Sequence, residues 1–230
     1  MRPDEASATN TWDGDSGEGM GRIIPYIVAE DDALAAGGFS SWLRGMTQAI
    51  AGDRPSDVPC DGCTACCTSA QFVHISPEET DTLAHIPKVL LFPAPRMPRG
   101  HVLMGYDERG HCPMLVDGGC SIYAHRPRTC RTYDCRIFPA AGVAVDAGQD
   151  AIGLRARRWR FEYPHEVDAT AQAAVRAAAS FLAAHRSVLG DAAPVNATQL
   201  AVLATEVHHL FLGADEPDPE VVVEEVRRRR

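Results

Sequence analysis

The sequence predicts an α+β protein built as a small, irregular, metal-stapled cysteine-rich core with flanking N- and C-terminal helices. Three observations carry this expectation. Eight cysteines, Cys60, Cys63, Cys66, Cys67, Cys112, Cys120, Cys130 and Cys135, all fall in one central stretch of the 230 residues. Short apolar alternations between them have the length of strands rather than of long helices. Longer segments with helical apolar faces lie before and after that stretch. An apolar fraction of 45% and a charged fraction of 23% are those of an ordinary folded protein, and the length suits one core with helical additions.

Taken in order, residues 1–20 are rich in Asp, Gly, Ser and Thr without periodicity and read as a disordered leader. Residues 21–56 form an N-terminal helical segment: an apolar run at Gly21–Val28, then a helix from about Asp32 with Leu34, Phe39, Trp42, Leu43, Met46 and Ile50 on one face, ending near Ala51-Gly52. Residues 57–165 are the cysteine-cluster core. There, Gln71–Ile75 alternates as a strand, and Ser76-Pro77-Glu78-Glu79 offers an N-cap, a first-position proline and a capping-box glutamate for a helix to about His85. Four prolines make 86–100 an irregular connection. His101–Tyr106 and His111–Val116 read as a hairpin across Asp107–Gly110, followed by a Gly118-Gly119-Cys120 turn and a short helix over Arg126–Tyr133. Residues 138–150 read as apolar loop, and 152–163 as an exposed strand with Trp159 and Phe161 turned inward. Residues 166–215 predict a helical hairpin, Ala171–Leu189 and a second helix capped by Asn196 and Gln199; residues 216–230 are a charged tail, read as a frayed helix.

Charge and compartment narrow the function classes. The net charge of -9 disfavours general nucleic-acid binding. Against that background, eight arginines between Arg126 and Arg160 make a local basic region that could receive an acidic partner, or pair internally as a solvated face. The N-terminus lacks a basic start with an apolar core, and no run approaches the roughly 18 apolar residues of a membrane span, so the expected location is cytoplasmic. In a reducing compartment, clustered thiols point to metal ligands or redox groups rather than structural disulfides.

The chemistry concentrates in Cys60-Asp61-Gly62-Cys63-Thr64-Ala65-Cys66-Cys67, four thiols in eight residues. Thiolates are soft, anionic donors, and a two-residue gap lets both sulfurs turn toward one ion. The overlapping gaps of Cys60, Cys63 and Cys66 have the spacing of bacterial iron–sulfur ferredoxins, and Cys112-Pro113 matches the remote, proline-followed ligand of that pattern. The later group is looser than the paired knuckles of a zinc ribbon. Adjacent Cys66 and Cys67 point different ways, which leaves either two metal centres or one cluster with a spare thiol. Metal is therefore expected, iron–sulfur preferred and zinc the alternative. His74, His85, His101 and His111 are spare nitrogen donors that a set of eight thiols does not need.

The CxxCxxCC run, with Cys112-Pro-Met-Leu, Cys120-Ser-Ile-Tyr123, Arg126-Pro127 and Cys130-Arg131-Thr-Tyr133, resembles the YkgJ-like CxxCxxCC family of zinc- or iron-chelating domains over residues 57–138. The resemblance implies metal chelation by the eight cysteines. It also implies that Tyr123, Arg126 and Arg131 assist cofactor binding by donating to cluster sulfurs, beside the plainer reading of a helix start with a packed tyrosine. A redox or electron-transfer role follows if the metal is iron–sulfur, and a stabilised structural or binding module if it is zinc. A related cysteine cluster in flagellin lysine N-methylases makes an iron-dependent modifying enzyme a further alternative, against which no G-x-G-x-x-G nucleotide loop occurs.

Overall fold

The computed structural model describes residues 33–56, 58, 60, 62–95, 97–213 and 217–229. The expected leader and the Gly21–Val28 run lie outside the described residues. The first element is a strand, β1 (Leu34–Gly38), where a helix start was expected. Gly37 adopts φ 82°, a conformation that a right-handed helix excludes, and the extended chain pairs in parallel with β7 (Trp159–Glu162) across an irregularity between Ala35 and Gly37. Helix α1 (Phe39–Ala51) then buries Phe39, Trp42, Leu43, Met46 and Ala49. It stops where expected: Gly52 is left-handed, and the Gly52 and Asp53 N–H groups donate to Ala49 and Gln48 carbonyls.

After the cysteine run, β2 (Val73–Ile75) and β3 (Leu91–Pro93) flank β4 (Val102–Met104) in a three-stranded antiparallel sheet, with α2 (Thr80–His85) between the first two. The expected 101–106/111–116 hairpin is corrected here. Both edges of β4 are taken by β2 and β3, and the Cys112 N–H donates instead to the Cys67 carbonyl at 2.7 Å. The hairpin that does form is β5 (Leu115–Val116) with β6 (Gly119–Cys120), turning on Asp117 and Gly118, both at positive φ, as a two-residue type I′ turn requires. The Glu79 carboxylate accepts from the Ser76 N–H at 2.9 Å, half of the expected capping box, but α2 begins only at Thr80.

The second half is helical: α3 (Arg128–Thr132), α4 (Ile137–Ala141), α5 (Asp150–Ala156), then β7, α6 (Glu166–Ala184), α7 (Arg186–Leu189), α8 (Ala197–Val207) and α9 (Pro219–Arg228). Two corrections fall here, since 138–150 was read as loop and 152–163 as strand throughout. α4 is one fully buried turn, and only the end of the expected strand extends. Asn196 caps α8 as expected, its side chain accepting from the Gln199 N–H at 2.8 Å.

Two apolar cores result. The larger joins Phe39, Phe138, Val175, Leu182, Leu200 and Cys135, and takes in Val222, Val223 and Val226 of α9, so the charged tail is anchored by its valines. The smaller holds Ile75, Ile86, Met104 and Ile122, with Cys112 and Cys120 packed against it. No helix among the described residues is long and apolar enough to cross a membrane.

Candidate metal centre

The CxxCxxCC run passes from α1 to β2 as consecutive tight turns. The Cys63 N–H donates to the Cys60 carbonyl at 2.7 Å and the Cys67 N–H to the Thr64 carbonyl at 2.8 Å, while Gly62 takes φ 65°. Such turns rotate successive side chains away from one another. Burial pushes the Cys66 thiol well up, and the charges acting on it next are Cys135 and Cys60. Burial also pushes Cys67 up, to about 11, but its foremost thiol neighbours are Cys112 and Cys120.

The remaining thiols divide the same way. Burial raises Cys130 to about 12, followed by Cys112, Cys67 and Cys120; Cys135, raised by burial to about 11, feels Cys60 and Cys63 among the thiols. By their foremost mutual influence the thiols sort into two adjoining sets of four, Cys60, Cys63, Cys66 and Cys135, then Cys67, Cys112, Cys120 and Cys130, which meet at Cys66 and Cys67, since Cys63 and Cys60 also act on Cys67. None is paired in a disulfide. Solvent reaches Cys66 and Cys130 although protein crowds both.

Each set is held by a different core. Cys135 is buried in the larger one, and the Trp159 indole N–H donates to its sulfur at 3.2 Å. On one side of it in sequence, the Asp134 carboxylate accepts from Trp42 Nε1 (2.9 Å), Ser56 Oγ (3.1 Å) and the Arg136 guanidinium (2.8 Å at Nη2); on the other, Arg136 also reaches the Ala36 carbonyl. Asp134 and Arg136 side chains are only 1% and 6% exposed, so this is a buried ion pair whose lone pairs and protons are used by named partners. In the second set, Cys120 faces Leu115 across the β5–β6 pair, the Cys112 carbonyl accepts from Leu115 N–H at 2.9 Å, and Cys130 rides on α3.

Of the three residues expected to assist the cofactor, Arg126 lies by the second set, where its charge acts on Cys130 against the dominant effect of burial. Tyr123 is exposed beneath it, with the guanidinium 4.1 Å over the ring. Arg131 turns to Glu79 at 3.9 Å. Sequence reasoning missed Trp159 as a thiol partner, since an inward aromatic carries no local mark of what it meets. It also passed over Tyr133 as a donor, although Tyr133 stands in the quoted motif. Burial first, then Cys66 and Cys135, push the Tyr133 hydroxyl up, and side-chain hydrogen bonding to Thr198 and Gln71 acts the other way, although neither Tyr133 Oη nor Gln71 Nε2 completes a bond of normal geometry among the described residues. A buried donor beside soft anionic sulfurs fits a thiolate-bound metal group at the first set, where sulfur would accept it.

Fold and site together define a mixed helix–sheet protein with a metal-binding cysteine cluster. Residues 59–151 match the CxxCxxCC family model, described as "Putative zinc- or iron-chelating domain". The match runs from the cysteine run into α5 and leaves α6 to α9 outside it. No match was found among curated proteins or among solved structures.

Proposed function

We propose that the chain is an iron–sulfur protein with two four-thiolate centres, one held by Cys60, Cys63, Cys66 and Cys135 and the other by Cys67, Cys112, Cys120 and Cys130, serving electron transfer or redox sensing. One observation supports iron–sulfur over zinc. Four thiolates around a single zinc at about 2.3 Å stand about 3.8 Å from one another. Among the described residues no three cysteine sulfurs lie within 4.8 Å of one another. A four-iron cluster, in which each thiolate caps a different iron, accommodates wider sulfur spacing than a single zinc. Such a group supplies one-electron chemistry. The chain's own part is to hold it: Trp159 donates to Cys135, Tyr133 stands ready as a donor, and the Asp134–Arg136 pair fixes the backbone on both sides of Cys135. A cleft of about 340 Å³ lined by Gly62, Cys63, Leu154, Arg155 and Arg158 borders the first set, and is the place where an acidic partner would be received.

The test is anaerobic purification with iron, sulfide and zinc analysis and a visible spectrum. Cys135→Ser is expected to remove the metal of the first set and weaken its retention at the second, and Cys120→Ser to do the reverse. A colourless protein holding stoichiometric zinc without iron or sulfide overturns the iron–sulfur reading.

A further inference from the structure

We propose that Asp81, His85 and His125 form an exposed binding site for a borderline divalent cation of the zinc or nickel kind, separate from both thiol sets. Asp81 and His85 stand four residues apart on α2 and so share a face. His125 comes from the single 3-10 turn Tyr123–His125, which packs against α2 from 44 positions away in the chain. Among the described residues, these three form the one group of His, Cys, Asp or Glu side chains whose ligand atoms all lie within 4.8 Å of one another.

Without an ion the three groups bond to one another, and an ion would take the place of the protons between them. The Asp81 carboxylate accepts from His125 Nδ1–H at 2.8 Å and lies 3.7 Å from His85 Nδ1, while the Asp81 carbonyl accepts from His85 Nδ1–H at 2.8 Å. The two imidazoles are stacked face to face, with centroids 3.5 Å apart and planes 5° from parallel. Two nitrogens and one carboxylate suit zinc, nickel or copper; magnesium and calcium prefer all-oxygen sets, and the softest metals prefer thiolates. With three protein donors at the surface, the remaining positions go to water, which makes the ion exchangeable. Arg131, whose charge also acts on Asp81, pairs with Glu79 at 3.9 Å.

The test uses the metal-loaded full chain titrated calorimetrically with Ni²⁺, beside His85→Ala and His125→Ala variants whose iron, sulfide and zinc contents match the parent. One ion per parent chain is expected, with affinity falling at least about tenfold in each variant, since losing a ligand costs no less than losing an outer partner. A matching Co²⁺ titration should give ligand-field bands without intense thiolate-to-metal charge transfer. Absence of binding, equal affinity in all three proteins, or strong thiolate charge transfer each overturns the proposal.

Discussion

Removing the Asp134 carboxylate while keeping Arg136 is expected to cost more than removing both. Asp134 accepts from the Trp42 indole, the Ser56 hydroxyl and the Arg136 backbone N–H, Nε and Nη2. Asp134→Ala therefore takes the paired carboxylate from a buried guanidinium, a loss of about 3–5 kcal/mol, and leaves the Trp42 N–H without its acceptor. Against a typical folding stability of about 5–15 kcal/mol, that is a large share. The double variant Asp134→Ala/Arg136→Met withdraws both charges and fills the space with apolar volume, so it should recover at least about 2 kcal/mol of the loss. Urea unfolding of protein with matched metal content, followed by tryptophan fluorescence and circular dichroism together, checks this, because coincident transitions license the free energies. Asp134→Ala within about 1 kcal/mol of the parent, or a double variant no better than the single, would refute the reasoning that this pair is a satisfied buried network.

Two further outcomes follow from the site. Tyr133→Phe removes a buried hydroxyl whose bonds to Thr198 and Gln71 fall short of normal geometry, so the stability of the metal-free chain should change by no more than about 1 kcal/mol. In the loaded protein the same change should shift the reduction potential, measured by redox titration; an unchanged potential assigns Tyr133 to packing alone. The thiols give a pH dependence in the metal-free chain. Cys67 and Cys135 are raised to about 11 and Cys130 to about 12, from a reference near 9.0. The fold favours the protonated thiol, so this contribution is whole below about pH 9 and is lost as pH rises through about 11 to 12, where the unfolded chain has already released its protons. Thermal melts across that range should fall for the metal-free chain, and a flat profile would contradict the burial of these thiols.

Much of the fold was legible, and the failures have physical causes. The end of α1 was written in Gly52 and the start of α8 in Asn196, because caps are local chemistry. β1 was not legible: Leu34 fits the helical face of α1, and only its distant partner β7 decides that the chain extends there. The false hairpin had correct strand residues at 102–104, but pairing is a choice among partners, and β2 and β3 won both edges of β4. α4 and α5 are too short for periodicity to declare them. At the site, spacing marked the eight cysteines as candidate ligands. The division proposed for them was not legible, since Cys135 meets Trp159 only through the folding of α4 and β7 around it, and Cys67 meets Cys112 through a backbone bond.

The peptide bond between Cys66 and Cys67 gives the two sets a common hinge. Cys66 faces thiols tied to the larger core, and Cys67 faces thiols packed on the smaller one. Loading either set would freeze the dihedral angles on its side of that bond and so spend part of the ordering entropy that the other set requires. Metal uptake would then be cooperative: half-loaded chains would be scarce, and chelation would strip both sets over one narrow range of chelator concentration, loosening the seam between the two cores in the same step.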